Sequence, residues 1–109
     1  MKIVTPFFIN KFKNKIINIH PSLLPAYKCA YAIKDSILQG SKITGCSVHF
    51  VEEEVDSGSL IMQAALSIRN DDDIESLSNR IQMLEHRILP HSISIAGFMI
   101  RSNLWKIIS

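Results

Sequence analysis

The sequence predicts an α/β fold with a mixed sheet flanked by helices. Three observations carry this expectation. Residues 43 to 52 alternate, with Cys46, Val48 and Phe50 on one face and Gly45, Ser47, His49 and Val51 on the other, the period of a strand. Ile74, Leu77, Ile81, Leu84 and Ile88 step by three and four, the period of an amphipathic helix. Read end to end, the elements run helix, strand, helix, strand, strand, helix, strand, interleaved as in α/β chains. The chain has 109 residues and is 47% apolar, enough for one domain with a core. A formal charge of +2 does not by itself point to nucleic acid.

Each element has its own local reason. Met1 to Val4 is short and apolar. Thr5-Pro6 reads as an N-cap followed by proline in the first turn, opening a short helix to about Asn14 with Phe7, Phe8 and Phe12 as its contacts. Residues 15 to 20 form a strand, and Pro21 and Pro25 stiffen the loop that leaves it. A helix from about Cys29 to Gln39 follows, with Gly40 placed to end it. The strand at 43–52 is expected to be central, because both its faces carry apolar residues. Glu53 to Gly58 is an acidic turn, and residues 60 to 68 make the next strand. Asn70 to Asp73 place negative charge at a helix start, where the macrodipole favours it. Pro90 is expected to kink or end that helix, with a second helical piece from Ile93 to Ile100. Leu104 to Ile108 reads as an edge strand. Such a sheet leaves one edge and part of a face uncovered, so the chain reads as half of a larger α/β domain.

Chemistry gathers at a few positions. Asn18 and His20 are two apart on a strand and should project together from its end. Asp56 lies in the turn after the next strand. Ligands of open α/β sheets bind beyond the carboxyl ends of strands, where both features sit. An amide donor for a developing oxyanion, an imidazole and a carboxylate make an acyl-transfer set. No serine or cysteine is placed as a nucleophile, so direct transfer fits better than a covalent intermediate. From the residues alone, His20 as a hydrogen-bonded loop histidine, Asn18 as a backbone partner and Asp56 as a turn former stay open. His49 reads as structural, and His86 and His91, near a helix end, as surface residues or partners of the helix dipole. Glu85 reads as solvated, and Met62, Met83 and Met99 as core filling. Cys29 and Cys46 lack metal-type spacing and read as small buried residues in a reducing compartment. The lysines at 11, 13 and 15 are a solvated helix end and lie behind the apolar residues, the reverse of a signal peptide. No apolar run reaches the ~18 residues of a membrane span.

Four motifs, in order, resemble the glycinamide ribonucleotide formyltransferase family. They are Asn18 to Pro25, Thr44 to Val51, then Asp56-Ser57-Gly58 with Ile61-Met62-Gln63, and Arg80-Ile81 with Glu85-His86 and Pro90. The resemblance implies the C-terminal half of a formyltransferase-type Rossmann-like domain, with residues 1–109 a single partial domain lacking its nucleotide-phosphate-binding half. It implies formyl transfer from 10-formyltetrahydrofolate to the amine of glycinamide ribonucleotide in purine biosynthesis. The family's catalytic asparagine, histidine and aspartate match Asn18, His20 and Asp56. Its folate site matches Met1, Lys2, Ile3 and Val4 with Glu53, Glu54, Val55 and Asp56, and a carboxylate that contacts the nucleotide matches Glu85. The Leu24–Pro25 bond matches one that the family holds in cis. The implied partners are small molecules, with a missing N-terminal half or a second copy. No metal, nucleic acid or membrane is implied, and the location is cytoplasmic. Cys29 stands where the family usually has glycine, Tyr31 where many members have histidine, and Ser59 where proline is usual. Two alternatives follow from the same residues. One is a related folate enzyme, another formyltransferase or a formyltetrahydrofolate deformylase. The other is a truncated, non-catalytic remnant.

Overall fold

A computed structural model of the chain describes residues 2–3, 17–51 and 60–102. The elements are β1 (Lys2–Ile3), β2 (Ile17–His20), α1 (Ala32–Leu38), β3 (Ile43–Phe50), β4 (Leu60–Ser67) and α2 (Ile74–Ser102). The four strands lie side by side in the order β1-β2-β3-β4. All three pairings are antiparallel, so the parallel part expected of a mixed sheet is not among the described strands. The helix expected at residues 5–14 and the edge strand expected at Leu104 to Ile108 lie outside the described residues.

β3 is central, as its two-sided apolar pattern predicts, and Thr44 to Phe50 are all buried. Its register sets Ile17 opposite Phe50, Ile19 opposite Val48, Cys46 opposite Ala64 and Val48 opposite Met62. These residues share one face, and α2 lies against it through Leu77, Ile81, Ile88, Ala96 and Met99. Burying each large side chain of this layer contributes roughly 1.5–3 kcal/mol. The β3–β4 register shifts between Val48 and His49, so Ile61 is an extra residue on β4.

Helix α2 begins on reciprocal bonds. The Ser76 N–H donates to Asp73 Oδ1 at 2.8 Å, and the Asp73 N–H donates to Ser76 Oγ at 3.0 Å. Serine here plays the part that glutamate takes in a capping box. The helix then runs 29 residues without interruption, through Pro90. This corrects the expectation of an end there with a separate helical piece from Ile93 to Ile100. Proline removes the bond to the carbonyl of residue 86, and both His86 and Pro90 lie on the exposed face, where water can take that carbonyl. Three side chains also depart from expectation. Cys29 is exposed rather than buried, Met83 is 66% exposed rather than core, and Glu85 is buried rather than solvated. No described helix is long and apolar enough to cross a membrane.

Gly45 marks the closest approach of β3 and β4. A Cβ there would lie 1.9 Å from the Ala64 carbonyl oxygen, which cannot move without breaking the ladder. Gly40, with φ 73°, has nothing within 4 Å of such a Cβ. Gly45→Ala should therefore cost about 3 kcal/mol or more of stability. Gly40→Ala should cost only ~1 kcal/mol, the penalty of the left-handed conformation. Urea unfolding midpoints of the two variants check the order.

Candidate functional site

Strand β2 delivers two polar side chains to one face of the sheet. Ile17 and Ile19 point into the apolar layer, so Asn18 and His20 project from the opposite side, as their spacing predicts. Asn18 sits opposite His49, and His20 opposite Ser47. His20 is buried, and its Nε2 lies 2.6 Å from the Tyr27 carbonyl oxygen. A carbonyl only accepts, so Nε2 carries the proton. The Asn18 amide oxygen is buried and has no hydrogen-bond partner among the described residues. His49 is buried, with Nδ1 3.0 Å from the Phe50 carbonyl oxygen, in keeping with a structural role.

The loop after His20 is held from beneath. Ser47 Oγ donates to the Ser22 carbonyl at 2.6 Å and accepts from the Leu24 N–H at 3.0 Å. Gln63 Nε2 donates to Ser47 Oγ at 2.9 Å and to the Leu24 carbonyl at 3.0 Å. Ser22 Oγ donates to the Ala26 carbonyl at 2.5 Å. The Leu24–Pro25 bond is cis, as the resemblance implies. Ser22, Ser47 and Gln63 carry no role in the sequence reading. The signal that could have found them is register, since only strand pairing sets Ser47 beside both His20 and Gln63. A cavity of about 260 Å³ opens beside Pro21, between α1 and the start of α2, and Tyr31, Ile33, Lys34 and Ile74 help line it.

Glu85 sits on the helix face that packs against the apolar layer, between Ile81 and Ile88. It is 3% exposed, and its Oε2 has no hydrogen-bond partner among the described residues. Burial raises its carboxyl above the ordinary range. Cys46 lies close enough to feel that charge. Burial first, and Glu85 second, push its thiol up to about 11. Among the described residues no hydrogen bond joins Glu85 to Asn18 or His20. Asp56, Met1, Val4, Glu53, Glu54 and Val55 lie outside the described residues, as do the side chains of Lys2 and Ile3. Among the described residues, no group of three or more His, Cys, Asp or Glu could hold a metal ion.

Comparison with known proteins places this arrangement. A family described as "Formyl transferase" matches residues 1–93. The "Trifunctional purine biosynthetic protein adenosine-3" of Chironomus tentans is 46% identical over 97 residues, covering 89% of this chain and 7% of that protein. The "Phosphoribosylglycinamide formyltransferase" of Haemophilus influenzae is 44% identical over 90 residues, covering 83% of this chain and 42% of that one. The solved phosphoribosylglycinamide formyltransferase of Anaplasma phagocytophilum superposes with a TM-score of 0.72 at 43% identity, covering 85% of this chain and 46% of that one. A formyltetrahydrofolate deformylase of Pseudomonas syringae superposes at 0.71 with 30% identity, covering 85% and 31%. The chain spans less than half the length of each of these relatives.

The buried carboxyl sets a pH dependence. With its pKa raised in the folded chain, Glu85 keeps its proton at pH values where the unfolded chain has lost it. Stability therefore falls as pH rises above the ordinary glutamate pKa of about 4.3. Glu85→Gln should raise the melting temperature at neutral pH, and the difference should close towards about pH 4. Thermal melts across pH check it. A thiol reagent at neutral pH should label Cys29 in the folded chain and reach Cys46 only on unfolding, by mass spectrometry.

Proposed function

The chain belongs to the formyl transferase family, and from that premise we propose that it is the catalytic half of a phosphoribosylglycinamide formyltransferase. The observation that carries the reading is the pairing of Asn18 and His20 at the end of β2, with a buried amide oxygen that lacks a partner among the described residues. It stands beside the likeness to enzymes that bear that name. An unpartnered buried acceptor fits a ligand that offers an N–H, as an amine does.

The proposed reaction moves a formyl group from 10-formyltetrahydrofolate to the amine of glycinamide ribonucleotide. The neutral amine attacks the formyl carbon, and the carbonyl electron pair moves onto oxygen. Asn18 donates a hydrogen bond to that oxygen, and His20 as imidazolium stabilises its charge. Asp56 takes the ammonium proton through water. Collapse then expels the folate nitrogen, which recovers a proton. Met1 to Val4 and Glu53 to Asp56 hold the folate in this reading, and Glu85 meets the nucleotide. The substrate phosphate is gripped by the other half of the domain, from the rest of the polypeptide or a partner chain. Cytoplasmic residence belongs to the same reading.

The test is an assay of the chain together with the N-terminal half of a homologous enzyme, following formylation of glycinamide ribonucleotide. Turnover is expected, and Asn18→Ala should lower kcat about 10²–10³-fold. Asp56→Asn should also be strongly impaired. The deformylase likeness makes formate release the competing readout. Formate release without amine formylation would convert the reading to a deformylase. Folate binding with neither product would make the chain a remnant.

A further inference from the structure

We propose that Ser47 and Gln63 are positioning residues for His20, which they hold through the loop of residues 22–27 without touching it. The three side chains form one row across three strands. His20 pairs with Ser47, and Ser47 pairs with Gln63. Adjacent strands are about 4.8 Å apart, so Gln63 lies roughly 10 Å from His20. Its influence has to pass through the loop.

The loop is built to pass it. Ser47 Oγ uses its full capacity of one donated and two accepted bonds, on the Ser22 carbonyl, the Leu24 N–H and Gln63. Gln63 Nε2 uses both its protons, on Ser47 Oγ and the Leu24 carbonyl. Ser22, fixed by its carbonyl, hands the constraint on through its own hydroxyl, which lies 2.5 Å from the Ala26 carbonyl and 3.3 Å from that of Tyr27. The Tyr27 hydroxyl is anchored to Ser41 Oγ at 2.5 Å. Tyr27 has φ 51°, a left-handed conformation that a tyrosine keeps only where its surroundings impose it. The result is a carbonyl oxygen held 2.6 Å from His20 Nε2. With Nε2 so engaged, Nδ1 is the ring nitrogen left for chemistry.

The assignment rests on His20 being a site residue, yet its test reads the ring and not turnover. Failure of the clamp and failure of the proposed activity are thus separate results. The experiment is nitrogen-resolved NMR of the full chain with labelled histidine. The His20 Nε2–H should appear as a slowly exchanging, downfield proton. Gln63→Glu keeps the side chain's shape and removes both donors. It should speed exchange of that proton about five- to tenfold, less than the direct loss of two hydrogen bonds would give, because the effect reaches the ring only through the loop. Backbone exchange along β3 should stay unchanged. Ser47→Ala should have a larger effect. If Ser47→Ala does not fold, Gln63→Glu decides alone, since the Gln63 side chain is on the exposed side of β4. An unchanged ring proton in folded Gln63→Glu overturns the proposal, and so does a uniform rise in exchange at every amide.

Discussion

The register of β2 against β3 is the constraint on which the rest depends. Side chains alternate along a strand, so a slip of one residue would turn Asn18 and His20 into the apolar layer and expose Ile17 and Ile19. The two faces hold this register by different physics. On one side Ile17, Ile19, Val48 and Phe50 lie under α2. That burial is not directional, and a slip of two residues would preserve its polarity. On the other side Ser47 reaches the Ser22 carbonyl and the Leu24 N–H. Those bonds have one geometry, and a slip of two residues would break both. Hydrophobic burial selects the face, and hydrogen bonding selects the position along it.

What was legible in the sequence follows from this division. Period and polarity sufficed for β3, for the start of α2 and for the common projection of Asn18 and His20. Each depends on neighbours within one element. What stayed hidden depends on contacts between elements. Ser47 and Gln63 stand in recognisable motifs, but their roles arise only when two strand pairings put them in one row with His20. Glu85 sits at the margin of the helical stripe, where period alone cannot say how far the sheet extends over it. Pro90 reads as a breaker by local rule, and it is tolerated because it falls on the outer face of a helix anchored on both sides by buried residues. Cys29 departs from the burial that is common for free cysteine. Its thiol instead meets Asp35 Oδ2 at 2.9 Å on the surface.

Two carboxylates on α2 and its approach show opposite treatment. Asp72 is held below the usual carboxylate range, first by the Arg69 N–H, with Ser76 and Arg80 also donating to it. Its charge is useful where it stands, ahead of the helix N-terminus and clamped to an arginine that also donates to the Ser67 carbonyl at the end of β4. At Glu85 burial outweighs what charged neighbours, His86 among them, offer. Burial works against its charge, and the neighbouring Cys46 thiol cannot relieve it, being itself held protonated well above neutral pH. An apolar residue there would pack on the same layer without that cost. A carboxyl that lowers stability and joins no described network needs an explanation outside the fold.

The buried polar atoms sharpen that point. The hydroxyls of Ser22, Ser36, Ser47 and Ser92 are all spent on carbonyls within reach. The fold therefore has the means to satisfy polar groups in its interior and does so with short bonds to backbone carbonyls. Against that background the Asn18 amide oxygen and Glu85 Oε2 stand out, for both are acceptors and both lack donors. Folded chains seldom leave such atoms unpaired, because each forfeits its bonds to water. Both lack the same thing, an N–H or O–H from outside the described residues. On the proposed reading an amine supplies the donor for the Asn18 oxygen, and Glu85, on the other side of the sheet, calls for a donor of its own. The cost of keeping the Asn18 acceptor buried then becomes differential affinity for that ligand. The satisfied network under His20 supplies the opposite quality, a loop whose polar groups already have their partners.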